Sequence, residues 1–267
     1  METTPKHLPE KRAGSVRKGC LRRPADLIEV NPAMRVLVGT SGYSYKEWKG
    51  PFYPRELPAA RFLGFYAARF KTVEINNTFY RMPTAKLIDG WASEVPEGFT
   101  FAIKAPQRIT HFAKLKGADD TVATFLRTVA ALGPRLGPLL FQLPPFMKKD
   151  VPLLAGFLAA ARQAGTEGVR IAFEFRHASW FDDETWTTLR DHGASLCIAE
   201  GEKLESPLVA TADWGYVRLR RDAYPDAVVG AWADKIRAQP WKEAFVYLKH
   251  DDGDAPSVAT KLIERLS

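Results

Sequence analysis

The amino-acid sequence predicts a single (β/α)8 TIM-type barrel over residues 34–267, preceded by a flexible basic arm over residues 1–33. Three observations carry that prediction. Short β-branched or aromatic runs alternate with stretches of helical spacing, which means parallel strands joined by helical crossovers. Eight such units fit into about 230 residues, close to the ~250 typical of a closed barrel. No linker divides them. An open doubly wound sheet would also alternate, but the dinucleotide fingerprint is absent. Gly39 and Gly42 follow the first strand and lead into an aromatic loop, with no G-x-G-x-x-G opening a helix.

The strands are expected at Val36–Val38, Thr72–Ile75, Phe99–Ile103, Leu139–Phe141, Val169–Phe175, Ser195–Ile198, Tyr216–Leu219 and Phe245–Leu248. Between the first two, Phe62, Leu63, Tyr66, Ala67 and Phe70 recur at three- and four-residue steps and predict an amphipathic helix within Ala59–Phe70. Leu87–Trp91, Thr121–Leu132, Leu153–Ala164, Asp183–Arg190, Ala227–Ile236 and Pro256–Leu266 carry the same spacing. Helix-start chemistry precedes three of them: Asp119-Asp120, Asp182-Asp183-Glu184 and Pro256-Ser257. Gly133, Gly165 and Gly193 stand where helices should stop.

Composition bounds the class of protein. The 267 residues are 46% apolar and 26% charged, which excludes a disordered or collagenous chain. No apolar run approaches the ~18 residues that span a bilayer. The basic N-terminus has no apolar core behind it, so no secretory leader is expected. Cys20 and Cys197 are the only cysteines, which fits a reducing, cytoplasmic setting. The net charge of +7 is uneven: +4 falls within residues 1–35 and +3 within 36–267. The first segment holds Pro5, Pro9, Pro24 and Pro32 but no aromatic residue, and cannot bury enough apolar surface to order itself. It is either a solvated extension or an arm for phosphate backbones, and Met34 offers an alternative start just before the first strand.

A barrel directs attention to the C-terminal ends of its strands. The first strand is followed by Gly39-Thr40-Ser41-Gly42-Tyr43-Ser44-Tyr45-Lys46-Glu47-Trp48. The second carries Glu74 and Asn76, then Phe79-Tyr80-Arg81. Lys104 ends the third, with Arg108, Thr110 and His111 beyond it. Gln142 ends the fourth. Glu174, Arg176, His177 and Trp180 follow in the fifth, Glu200 in the sixth, Arg218 and Arg220 in the seventh, and Lys249-His250-Asp251 in the eighth.

Five of these runs carry a resemblance. GTSGYSYKEWKGPFYP, TVEINNTFYRMP, FAIKAPQRITHF, LGPLLFQLPP and FEFRHASW, in that order, resemble the successive signatures of the YecE-like family, domain of unknown function 72. The likeness covers roughly residues 36–267. It implies a TIM barrel with a distant likeness to the endonuclease-IV and xylose-isomerase barrels, and it implies no particular reaction. One departure stands near the seventh strand. Members commonly show Arg-x-His-Gly there, whereas this chain reads Arg218-Leu219-Arg220-Arg221.

The residues themselves leave two functional readings open. Glu74 and Asn76 share parity on a strand, as do Glu174 and Arg176, so each pair points into the barrel. Buried carboxylates need cations, and Lys104, Arg176, Arg218 and Arg220 are the candidates. They form either a salt-bridge network that closes the barrel top or a site for a small anionic substrate, phosphorylated or carbohydrate-like. In the second case Glu74, Glu174, His111 and His250 are the candidate acid/base residues of a hydrolase or isomerase. Ser41, Tyr43, Trp48, Asn76, Tyr80, Lys104, Gln142, Arg176, Trp180 and Arg218 are then the candidate binding residues. The Gly39–Gly42 turn is read as an anion cradle or as a tight turn. Tyr43, Trp48, Tyr80 and Trp180 are read as a stacking wall for a sugar or base, with Phe52 and Phe79 as packing. The second functional reading is nucleic-acid binding or processing through the same cations and the basic arm. The scattered histidines predict no metal site, although Glu74, Glu174 or Gln142 with a substrate phosphate would suit magnesium; the sequence specifies no cofactor and no oligomeric state.

Overall fold

The computed structural model describes residues 1–2, 34–117, 119–164, 168–201, 204–249 and 254–267. Its strands are β1 (Arg35–Thr40), β2 (Thr72–Ile75), β3 (Thr100–Lys104), β4 (Leu136–Gln142), β5 (Ile171–Glu174), β6 (Ser195–Ala199), β7 (Trp214–Leu219) and β8 (Glu243–Leu248). The α-helices are α1 (Phe62–Ala67), α2 (Ala85–Glu94), α3 (Asp119–Ala130), α4 (Val151–Gln163), α5 (Asp183–Asp191), α6 (Asp226–Arg237) and α7 (Ala255–Leu266). Every strand and helix expected from the sequence forms, most with shifted ends and Thr72–Ile75 with the ends expected. The basic arm expected over residues 1–33 lies outside the described residues apart from Met1 and Glu2.

Local chemistry sets the helix starts. Asp150 and Asp182 cap α4 and α5 by accepting from the backbone N–H of Leu153 and Thr185, each at 3.0 Å, and Thr84 caps α2. One connection departs from strict alternation. Among the described residues between β6 and β7 there is no helix. That segment lies against β6 instead. Ser206 N–H bonds the Ala199 carbonyl, and the Thr211 hydroxyl accepts from Leu196 N–H and donates to the Ala194 carbonyl.

The strands pair in parallel in the order β1-β8-β7-β6-β5-β4-β3-β2. Closure between β1 and β2 uses other means. Ser41 and Glu74 form an isolated bridge above the strands, and Gly42 N–H bonds the Glu74 carbonyl at 2.8 Å. Below it the phenol of Tyr66, from α1, sits in the seam. It accepts from Thr40 N–H at 2.9 Å and donates to the Thr72 carbonyl at 3.0 Å. Gly39 makes this approach possible, because a Cβ there would lie 2.2 Å from the Thr72 carbonyl oxygen.

Two apolar cores lie on either side of the strand wall. The outer one packs the helices through residues such as Phe62, Val73, Ile103, Phe141, Phe173 and Val246. The inner one fills the barrel with Leu37, Ala102, Leu140, Ala172, Cys197, Tyr216, Phe245 and Tyr247. A bulge keeps β4 in step: Phe101 faces Leu136 but Ile103 faces Leu139, so Gly137-Pro138 contains an extra residue. The shift sends Leu140 inward, and Gln142 shares its parity. The inner core ends upward in a layer of charged and polar side chains.

Candidate functional site

Strand parity delivers Glu74, Lys104, Gln142, Glu174 and Arg218 to one layer at the C-terminal mouth, all of them buried. Arg218 is the centre of that layer. It donates from Nη2 to Glu74 Oε1 at 2.9 Å and from Nη1 to Glu174 Oε2 at 2.5 Å, so one guanidinium holds two carboxylates. Glu74 also accepts from Tyr216 Oη at 2.7 Å and Asn76 Nδ2 at 2.9 Å. Glu174 accepts from Gln142 Nε2 at 2.7 Å, and the same amide accepts from Lys104 Nζ at 2.9 Å. Arg176 and Arg220 lie farther out, 3.6 and 3.7 Å from Glu174 Oε1.

Charge is balanced within the buried layer and becomes positive once the part-exposed Arg176 and Arg220 above it are counted. Four cations, Lys104, Arg176, Arg218 and Arg220, face the two carboxylates Glu74 and Glu174. Burial by itself would raise both carboxyl pKa values. For Glu74 it is outweighed by Arg218 and the Tyr216 and Asn76 hydrogen bonds, which hold the group below its usual range. For Glu174 it is outweighed by Arg218, Arg220, Arg176 and Lys104, which pull it to about 2. Burial and the neighbouring Arg218 lower Lys104 to about 8, against the opposing pull of Glu174 and Glu74. Burial, then Lys104 and Arg176, lower His111. The two carboxylates are therefore anions near neutrality, and Lys104 and His111 are the two neighbouring groups whose charged forms the site disfavours.

A cavity of about 370 Å³ opens beside the layer, lined by Glu174, Arg176, Glu200, Arg220 and Lys249 among others. Three buried polar atoms at the mouth have no hydrogen-bond partner among the described residues: Asn76 Oδ1, Arg218 Nε and Arg220 Nη1. Two of these are guanidinium nitrogens, so the donor surplus matches the charge surplus. Glu200 belongs to a separate, satisfied cluster, accepting from Trp232 Nε1, Arg221 Nε and the Tyr224 phenol.

Several expected site residues have other work. Trp48 is fully buried against Tyr45, Phe52 and Tyr53, and Trp180 is fully buried, stacked on Phe175 with ring centroids 4.6 Å apart. Trp180 Nε1 donates to the Met147 carbonyl. Neither face is open to a ligand, because the loops close over these large apolar rings. The Gly39–Gly42 segment is a tight turn and not an anion cradle: the Thr40, Ser41 and Gly42 amides are used by Tyr66, Leu248 and Glu74. Ser41 lies buried beside Glu74, whose charge it helps to hold.

Tyr43 is half-buried against Tyr66 and lines a different groove, with Asn77, Arg81 and Trp91. Tyr80 is exposed on the rim next to Phe79, whose ring touches His111 edge-on and lies under Lys104 Nζ at 4.2 Å. His250 lies outside the described residues. Sequence reasoning missed Tyr216 as a Glu74 partner, although its parity with Arg218 on β7 is the signal that finds it. Among the described residues, no group of three or more His, Cys, Asp or Glu side chains is gathered for a metal ion.

A closed parallel barrel with its polar cluster at the strand C-termini is a TIM-barrel protein. Within that class the chain belongs to the DUF72 family, described as a protein of unknown function, whose family model matches residues 37–267. It is similar to the UPF0759 protein YecE of Escherichia coli K12, at 35% identity over 43% of this chain and 42% of that protein. It is also similar to the UPF0759 protein YunF of Bacillus subtilis, at 28% identity over 55% and 52%. The chain thus spans about half the length of the curated relatives it matches. A crystal structure of a DUF72 family protein from Thermotoga maritima superposes with a TM-score of 0.74 at 28% identity, covering 87% of this chain and 99% of that one. A DUF72 family protein from Enterococcus faecalis gives 0.73 at 18% identity over 86% of this chain, a likeness of fold. Among the described residues no helix is long and apolar enough to cross a membrane.

Proposed function

We propose that the barrel mouth binds and turns over a small anionic substrate, phosphorylated or carbohydrate-like. The observation that carries this reading is the pair of part-exposed cations, Arg176 and Arg220, that stands at the mouth over a charge-balanced buried layer, joined to Arg218 and Arg220 nitrogens without hydrogen-bond partners among the described residues. The buried charges balance, two cations against two carboxylates, so Arg176 and Arg220 are not needed to neutralise them and remain to face the cavity. An anion set against Arg176 and Arg220 supplies the missing charge and accepts the free donors. Glu74 and Glu174 then orient the guanidiniums, and Lys104 and His111 move protons at the bound substrate.

Calorimetric titration with a panel of phosphorylated and carboxylated metabolites tests the reading. At least one anion should bind the wild-type chain and lose most of its affinity in Arg220→Met. A panel that binds nowhere, or that binds Arg220→Met as well as wild type, overturns it.

A second reading, single-stranded nucleic acid, draws on three exposed aromatics on successive loops: Tyr80, Phe112 and Phe146, the last with Lys114 Nζ 5.1 Å from its ring. Oligonucleotide binding that falls steeply with salt and weakens on removal of residues 1–33 would favour it.

A further inference from the structure

We propose that Lys104 is a nucleophile that forms an imine with a carbonyl carbon of the anionic substrate. The inference rests on the mouth being an anion site and names the substrate's second feature, an aldehyde or ketone. Five cationic side chains lie at the mouth, Lys104, Arg176, Arg218, Arg220 and Lys249, and three are guanidiniums, which stay protonated in proteins and do not attack carbon. Of the two amines, Lys104 is the buried one, and Lys249 lies part-exposed in the cavity wall.

Its surroundings favour the neutral form. The residue is 9% exposed, at the carboxyl end of β3. Among the described residues no carboxylate lies within ion-pairing distance of Nζ, whose hydrogen-bond acceptor is the neutral Oε1 of Gln142. The Gln142 amide stands between the amine and Glu174, passing on hydrogen bonding without direct charge contact. On the other side lies the Phe79 ring, 4.2 Å from Nζ, which keeps water away, although its face by itself attracts the charged amine. The charged groups that act on Lys104 are Arg218, Glu174, Glu74 and Arg220, with Arg176 and His111 at the same mouth. A lysine desolvated beside another cation is a recognised way to make a free amine near neutrality. The lowering to about 8 agrees with the geometry.

The chemistry balances without an external redox partner. The Nζ lone pair attacks the carbonyl carbon and the C=O π pair moves to oxygen. One ammonium proton passes to that oxygen, giving a carbinolamine. His111, half-buried and bonded through Nδ1 to the Thr110 hydroxyl, is placed to carry a second proton from nitrogen to the hydroxyl. Water leaves, the C=N bond forms, and hydrolysis reverses each step. The imine draws electrons from the adjacent carbon, which suits proton abstraction or carbon–carbon cleavage next to the carbonyl.

Glyoxylate, a small anionic aldehyde, with cyanoborohydride tests the proposal by leaving a carboxymethyl group on any lysine that forms an imine. At neutral pH the neutral fraction of Lys104 should exceed that of an ordinary lysine by on the order of 100-fold. Peptide mapping of the full chain should therefore find Lys104 modified roughly tenfold or more faster than exposed lysines such as Lys46 and Lys86. Lys104→Arg should lose that adduct. Lys104 unmodified, or modified no faster than the exposed lysines, overturns the proposal, and this holds even if the variant fails to fold because the mapping is made on wild type. Anion binding by calorimetry separates the two ideas. Slow labelling with intact anion binding removes only the nucleophile, whereas loss of both removes the anion site as well.

Discussion

Replacing Arg218 with Met removes the charge that holds two buried carboxylates while keeping most of the apolar stem. Arg218 is 4% exposed, Glu174 2% and Glu74 0%, so solvent screens none of them appreciably. Without it, Glu74 keeps only the neutral donors Tyr216 and Asn76, and Glu174 keeps Gln142 and two cations more than 3.5 Å away. Breaking a buried ion pair from one side costs about 3–5 kcal/mol. That is a large share of the 5–15 kcal/mol of an ordinary domain. The loss should depend on pH, and its sign follows from the carboxylates. In the wild type Glu174 lies at about 2, below its unfolded value, so its contribution is complete above roughly pH 4.3 and is lost as pH falls toward 2. In the variant both carboxyl pKa values rise, protonation relieves the unpaired charge, and acid spares the folded state. The gap between the two proteins should therefore be widest near pH 7 and narrow as the solution is acidified. Urea denaturation followed by far-ultraviolet circular dichroism at several pH values measures it. A loss below about 1 kcal/mol near pH 7, or a gap that does not change with pH, refutes the central role of Arg218.

Two further substitutions probe the frame around the site. Tyr66→Phe removes the hydroxyl that serves Thr40 N–H and the Thr72 carbonyl at the seam. At about 1–3 kcal/mol per unsatisfied buried group, the two groups should cost about 2–6 kcal/mol, with faster hydrogen exchange at the Thr40 amide. Trp180→Ala should cost about 3–5 kcal/mol by opening a cavity against Phe175, with anion affinity little changed. Denaturation and calorimetry on the same sample separate that structural role from a ligand-stacking one.

The division between sequence and structure follows the range of the forces involved. Local periodicity determined the elements: Thr72–Ile75 is bounded in the sequence as it is in the fold, and Asp182 caps α5 as its position demands. Period-two alternation places Glu74 and Glu174 inside the barrel without reference to any partner. The helix-free connection after β6 shows the limit of counting units, since alternation in most of the chain does not require it everywhere.

What tertiary structure alone decided is which charges meet. Arg218 lies 144 residues from Glu74 and 44 from Glu174, and no local rule ranks it above Arg176 or Lys104 as their partner. Barrel closure brings β2, β5 and β7 around one axis, where Arg218 takes both carboxylates and leaves Lys104 bonded to an amide. Burial likewise separated Trp48 and Trp180, sealed in the core, from Tyr80 on the rim, although all three read alike as aromatic residues in loops. Secondary structure and side-chain parity arise from neighbours along the chain, and the sequence carries them openly. Charge pairing and solvent exposure depend on neighbours in space, and only the closed barrel supplies those.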